Sequence, residues 1–176
     1  LTFVGPVVGP IAGIPLGHIW ESYVLTLAAL VPYLVITAGF AIQSLRRGIP
    51  LPLRPAVAIF LAPNCLFATS FGLLGVDWAF QIFYWLAGGI ALALIGIGPW
   101  MSQGGWSPLW AGFAFPSTAF LLVQVLAVKL GVGNAALIGT YTAMSFATPL
   151  VFFITYRFIM TWVTGELAEG SGAARA

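Results

Sequence analysis

Charge is what this chain has least of. Its 176 residues include six Lys or Arg, four Asp or Glu and one His, so charged residues make up 6%, against about 25% in an ordinary soluble domain. Too few charges are present to clothe a soluble core. The net charge of +2, without a basic run or an aromatic-rich polar stretch, gives no nucleic-acid footprint. Cysteine is nearly absent too. Cys65 stands alone, which rules out an intrachain disulfide and a cysteine metal cluster and leaves a small apolar residue suited to burial. Histidine is single as well. His18 and Glu21, three residues apart, would share one helical face as metal ligands, but no second His completes a site, and an interfacial pair is the simpler reading. An embedded enzyme would need a nucleophile–base pair, a metal cluster or paired carboxylates. One His, one Cys and four acids, mostly at segment edges, do not assemble one. The sequence therefore predicts neither enzyme nor cofactor.

What the chain does have is apolar length. Hydrophobic residues make up 61% of it, and Ser22–Leu45, Pro55–Val76, Trp78–Trp100, Pro108–Val128 and Ala135–Tyr156 each run past 20 residues without a formal charge. A bilayer core needs roughly 20 apolar residues per helix. The expected fold is an all-α integral membrane protein. Its complete spans are predicted at 22–45, 55–76, 78–100, 108–128 and 135–158, and a sixth, partial span at 1–17. Trp20, Tyr23, Trp78, Trp100, Trp106 and Trp162 fall near span ends, where interfacial belts form. The bundle should occupy 1–163, with a disordered cytoplasmic tail over 164–176, rich in Gly, Ala, Ser and Glu. Leu1 is already apolar and no initiator Met precedes it, so the chain is read as the C-terminal part of a longer membrane protein.

Arg46, Arg47 and Arg54 bracket one short connection. The positive-inside rule makes that connection cytoplasmic. Alternation then places Asp77 and Lys129 outside, and the 101–107 turn, Arg157, Arg175 and the C-terminus inside. Lys129 runs against the rule. The short connections predict antiparallel neighbours, so any activity must arise inside the bundle.

Proline and glycine punctuate the spans. Gly5, Gly9, Gly13 and Gly17 recur every four residues in the first segment, interleaved with Pro6, Pro10 and Pro15. This is either a close-packing face or an irregular wall beside a cavity. Pro32, Pro63, Pro116 and Pro149 fall near span centres, where each removes a backbone hydrogen bond and favours a kink. In 107–116, Pro108 suits a helix start. Pro116 deprives the Gly112 carbonyl of its partner beside Phe113 and Phe115. Those two rings lie roughly 200° apart around an ideal helix, so only one of them can face a given cavity. Ser117 and Thr118 follow at once, the best placed of the polar residues within spans.

The order Trp110-Ala-Gly-Phe-Ala-Phe-Pro116 resembles the penultimate span of the tellurite-resistance/dicarboxylate transporter family, which includes bacterial TehA-type proteins, fungal malate and sulfite transporters and plant slow-type anion channels. Ile59-Phe-Leu-Ala-Pro-Asn64 is similar to an element of an earlier span. Val4-Gly-Pro-Val-Val-Gly-Pro and Ile14-Pro-Leu-Gly-His18 are similar to the family's fifth span and its exit. The resemblance implies ten helices in five hairpins around a central pore, usually in a homotrimer, with this chain supplying spans five to ten. It also implies that odd-numbered spans line the pore and that a phenylalanine closes it. By position that gate is Phe115, with Phe113 second. The pore-lining or kink positions are Pro63, Asn64, Gly112, Pro116, Ser117, Thr118, Gly9 and Pro10. Asn64 stands where a second proline is expected and would bring an amide toward the pore. The implied function is passage of small inorganic or organic anions across the cell membrane. Channel-like conduction is favoured over a coupled carrier of dicarboxylates, sulfite or tellurite-related oxyanions, since no span carries an acid at its centre. A structural subunit is a further alternative, which leaves the repeated prolines without a role.

Overall fold

The computed structural model describes residues 5–166. The start of the first segment and nearly all of the expected tail, Arg175 included, lie outside the described residues. Among those described, the chain is helical, with no strand. A short helix α1 (Val8–Gly13) lies between 3-10 turns at Gly5–Val7 and Ile14–Leu16. It is followed by α2 (Ile19–Arg47), α3 (Leu61–Leu73), α4 (Asp77–Gly96), a single turn α5 (Gly98–Met101), α6 (Ala111–Lys129) and α7 (Asn134–Val163). Five segments are long and apolar enough to cross a membrane: Ile19–Arg47, Leu51–Leu73, Asp77–Gly96, Pro108–Lys129 and Asn134–Val163.

Several boundaries differ from the sequence expectation: α2 and α7 run longer, to 19–47 and 134–163, and two further shifts arise through proline. The third span begins at Leu51 as a ten-residue 3-10 stretch, Leu51–Phe60, and becomes α-helical only at Leu61. Pro55 has no N–H to offer the Leu51 carbonyl, whereas Pro52 sits in the first turn, where none is needed, and Pro63 completes the change of winding within the first turn of α3. The fourth span stops at Gly96 and resumes as α5, because Pro99 has no N–H to offer the Ile95 carbonyl. Pro32, Pro116 and Pro149 instead lie within α2, α6 and α7, which continue through them.

The same turn closes three hairpins. At Leu16-Gly17-His18, Leu74-Gly75-Val76 and Leu130-Gly131-Val132 the glycine is left-handed, with φ of 87°, 72° and 75°. The N–H of the next residue bonds the carbonyl five residues back: His18 to Gly13, Val76 to Phe71 and Val132 to Ala127, at 3.0, 2.9 and 3.0 Å. This is the bond of a glycine-closed helix end, where a residue with Cβ would be strained. The described residues thus form three successive helical hairpins, α1–α2, α3–α4 and α6–α7. The links between hairpins, 48–50 and 97–107, gather at the opposite end with Arg46, Arg47 and Arg54.

The hairpins form two layers. α3 packs against α1 on one side and α6 on the other, while α2, α4 and α7 lie outside. In the segment Leu51–Leu73, which ends in α3, 72% of the apolar window is buried, against 17–28% in the other four long segments. The core clusters around Phe67, fully buried, with Phe71 on the same helix, Tyr33 from α2 and Phe83 from α4. Amides tie neighbouring hairpins together. The Tyr33 hydroxyl donates to Asn64 Oδ1 of the next hairpin at 2.9 Å, and the Tyr84 hydroxyl to Gln124 Oε1 of the one after, also at 2.9 Å. The outward faces carry Val31, Leu34, Val35, Leu92, Ile138 and Phe152, all exposed. An apolar surface of this extent is compatible with a membrane protein.

The glycine stripe of the first segment divides. A Cβ on Gly13 would approach Ser22 Oγ to 2.7 Å, so Gly13 sets the close approach of α1 to α2, whereas Gly9 is in ordinary contact with Leu25 and Gly5 meets nothing. Pro10 is fully buried.

Candidate functional site

α6 carries the sequence motif, and its two sides face different surroundings. On one side Phe113, Pro116, Ser117 and Phe120 line a crevice of about 380 Å³. Its other walls are Ala91 and Leu94 of α4, Ala143 and Phe146 of α7, and Ala58 and Leu61 below. It exists because the outer helices α4 and α7 do not pack closely on each other, leaving a gap over α3 and α6. The opposite side presents Ala111, Phe115, Thr118, Leu122 and Val125, an exposed row at helical spacing that no described element covers. The two aromatic candidates therefore part as the 200° separation requires. Phe113 is half-buried in the crevice against Trp110, ring centroids 5.5 Å apart, and Phe115 is 52% exposed on the open side.

Other motif residues fall into place around these two faces. Gly112 lets α6 lie against the 3-10 stretch, where its Cβ would stand 3.4 Å from Ile59 and 3.6 Å from the Ala56 backbone. Pro116 is buried at the crevice wall. The Ser117 hydroxyl donates to Ala114 O at 3.0 Å, and that of Thr118 to Phe115 O at 2.9 Å and Ala114 O at 3.2 Å. Both hydroxyls serve their own helix. Pro63 and Asn64 are buried within α3. The Asn64 amide accepts from Tyr33 and donates to Phe60 O at 2.9 Å, so it ties α3 to α2 and reaches no open surface.

Chemistry-bearing groups are sparse. His18 Nδ1 and Glu21 Oε1 stand 3.9 Å apart, both side chains 64% exposed, and no cluster of three or more His, Cys, Asp or Glu occurs among the described residues. Thr69 bonds Cys65 O and Thr140 bonds Ala136 O. Cys65 is fully buried.

Two features escaped the sequence reading. At the arginine-rich end, Arg54 lies over the Trp100 ring at 4.6 Å and donates to Gln103, while Arg157 lies over Trp106 at 5.0 Å. Trp106 and Trp110 pack with Phe153, and Trp106 also with Phe158. These contacts join residues far apart in the chain, and nothing local announces them. The repeated Leu-Gly turn, by contrast, stands in the sequence at 16–17, 74–75 and 130–131. Aligned on those pairs, the three hairpins would have been legible.

Fold and site define an all-helical protein, built of hairpins, with five segments able to span a bilayer. Comparison with known protein families, curated proteins and solved structures finds no match.

Proposed function

We propose that the chain is part of a helical membrane pore for small anions, with Phe115 as the ring that obstructs the path. One observation carries this reading. α6 holds Phe115 beside Pro116 on a face that no other described element covers, on the far side from the crevice. Repeated hairpins with an inner layer of α1, α3 and α6 suit a wall curved around an axis, and further hairpins would complete it. A neutral ring across a narrow opening blocks by excluding water, so a small rotation or helix shift opens it. The crevice suits conduction poorly, since no charged side chain lines it and the Ser117 hydroxyl is bound to its own helix.

Preference for anions, the trimer and residence in the cell membrane rest on the resemblance to the tellurite-resistance/dicarboxylate transporter family. A cytoplasmic C-terminus is supported by the gathering of Arg46, Arg47, Arg54 and Arg157 at one end, read by the positive-inside rule. The test is anion flux through proteoliposomes of the protein, with Phe115→Ala and Phe113→Ala beside the unmutated form. Phe115→Ala is expected to raise chloride or nitrate flux several-fold and Phe113→Ala to leave it near the starting level. Saturable malate or sulfite transport without chloride current would favour the coupled carrier. Folded protein in which no variant moves any anion would refute the proposal.

A further inference from the structure

Beyond the Trp110 end of the crevice between α4 and α7 stand two arginines, outside its lining and joined to it through Trp106 and Trp110 on the Arg157 side. Along α7 its lining runs Ala143, Phe146 and Leu150, and the same helical row continues through Phe153 to Arg157. From α3 it runs back through Leu61 and Ala58, and one turn earlier stands Arg54. Both guanidinium groups rest on tryptophans. Neither has a carboxylate within ion-pair distance among the described residues, where the one such pair is His18–Glu21. Arg157 Nε is buried and has no hydrogen-bond partner. A buried N–H on a cation without an acceptor is costly and points to a ligand that brings one.

We propose that this crevice holds one acyl chain of an anionic phospholipid from the arginine-side leaflet, with its phosphate at Arg157 and within the field of Arg54. The inference rests on the membrane reading above. Depth favours a lipid chain. From Trp110 to Phe120 the crevice follows α6 for about 15 Å, half of a hydrocarbon core about 30 Å thick, which is the depth of one leaflet. Volume agrees, since 380 Å³ falls within the range of about 300–1,000 Å³ typical of ligand sites. Charge sets the headgroup. The positive end lies on the side where cytoplasmic anionic lipids attract Lys and Arg, and a guanidinium fork matches phosphate geometry. Tryptophan at the same level suits the headgroup boundary.

The test begins with flotation on liposomes of phosphatidylcholine and phosphatidylglycerol in equal parts, which checks the membrane reading by itself. A protein that does not float overturns both readings. Floated protein is then extracted in mild detergent and its retained lipids are counted by native mass spectrometry, with and without millimolar inorganic phosphate. Phosphatidylglycerol should be kept in preference to phosphatidylcholine, and free phosphate should not displace it. Arg157→Gln should lower that retention about tenfold, the scale of one charge-assisted hydrogen bond, while Arg157→Lys restores part of it. Ala143→Phe, which fills the crevice, should abolish retention. As a check independent of folding defects in the variants, phosphatidylglycerol with a photoreactive acyl chain should crosslink to α4 and α7 peptides of the unmutated protein. Equal retention of both lipids, indifference to Arg157→Gln, displacement by free phosphate, or crosslinks confined to α2 would each overturn the proposal.

Discussion

Adding one methyl group at Gly139 tests the packing inside the third hairpin and its tie to α4. An ideal Cβ there would lie 2.5 Å from Gln124 Oε1 and 2.8 Å from its Cδ. Gln124 is 4% exposed and its Oε1 accepts the Tyr84 hydroxyl, so the amide cannot retreat without breaking the link from α6 to α4. Overpacking costs about 1–3 kcal/mol. The displaced hydrogen bond adds about 0.6 kcal/mol on average, up to about 1.7, inside a membrane. Alanine in a helix interior recovers about 0.5–1 kcal/mol relative to glycine. Gly139→Ala should therefore destabilise by about 1–3 kcal/mol, the sum being dominated by the clash. The assay is reversible unfolding in mixed micelles, followed as a function of the mole fraction of denaturing detergent. In a Gln124→Ala background the obstruction is gone, so Gly139→Ala should become neutral or slightly stabilising. In a Tyr84→Phe background its cost should fall by the hydrogen-bond share alone. If Gly139→Ala is neutral in the unmutated protein, or costs the same with and without Gln124, the reasoning fails.

Asn64→Leu should cost about 1–3 kcal/mol by leaving the buried Tyr33 hydroxyl unpaired, and adding Tyr33→Phe should recover much of that in the same unfolding assay. Cys65 is fully buried, so it should resist maleimide in the folded protein and react at a rate that follows global unfolding, measured by mass shift. With Cys65 silent, a membrane-impermeant charged thiol reagent should modify Phe115→Cys, on the open face of α6, much faster than Phe113→Cys in the crevice. Equal rates would deny the two faces their different access to water. Arg54→Gln removes one half-buried cation–π contact and should cost about 0.5–2 kcal/mol, read from the unfolding midpoint.

Helix number and approximate extent could be read from uncharged length alone, because a run such as Pro108–Val128 has few alternatives once lipid is the solvent. What failed locally was winding. Pro63 invited a kink in mid-span, yet the irregularity lies upstream, in the 3-10 stretch around Pro55. Burial of α3 was not legible either. Its sequence is as apolar as that of the outer helices, and only the pairing of hairpins decides which apolar helix is surrounded by protein. Asn64 shows the same limit. An amide in an apolar run must find a partner, but the run does not say whether that partner is solvent in a pore or Tyr33 on the neighbouring hairpin.

The motif of α6 gains its meaning from that pairing. Two phenylalanines flanking one alanine are forced to opposite sides of the helix, so any fold that encloses one leaves the other to a second environment. Here the enclosed ring, Phe113, joins a mostly apolar wall that holds no charged side chain, with the Ser117 hydroxyl bound to its own helix and Thr142 adding one further hydroxyl. A hydrated anion entering that wall would lose its water and meet no compensating charge along the lining, a cost of several kcal/mol or more. A hydrocarbon chain would lose nothing. Phe115 stands on the other side, beside Thr118, where a wet path can exist once further helices enclose it. On the functions proposed above, α6 divides a lipid-binding face from an ion-facing one, and exchanging the aromatic residues between the two sides should exchange their effects on lipid retention and on anion flux.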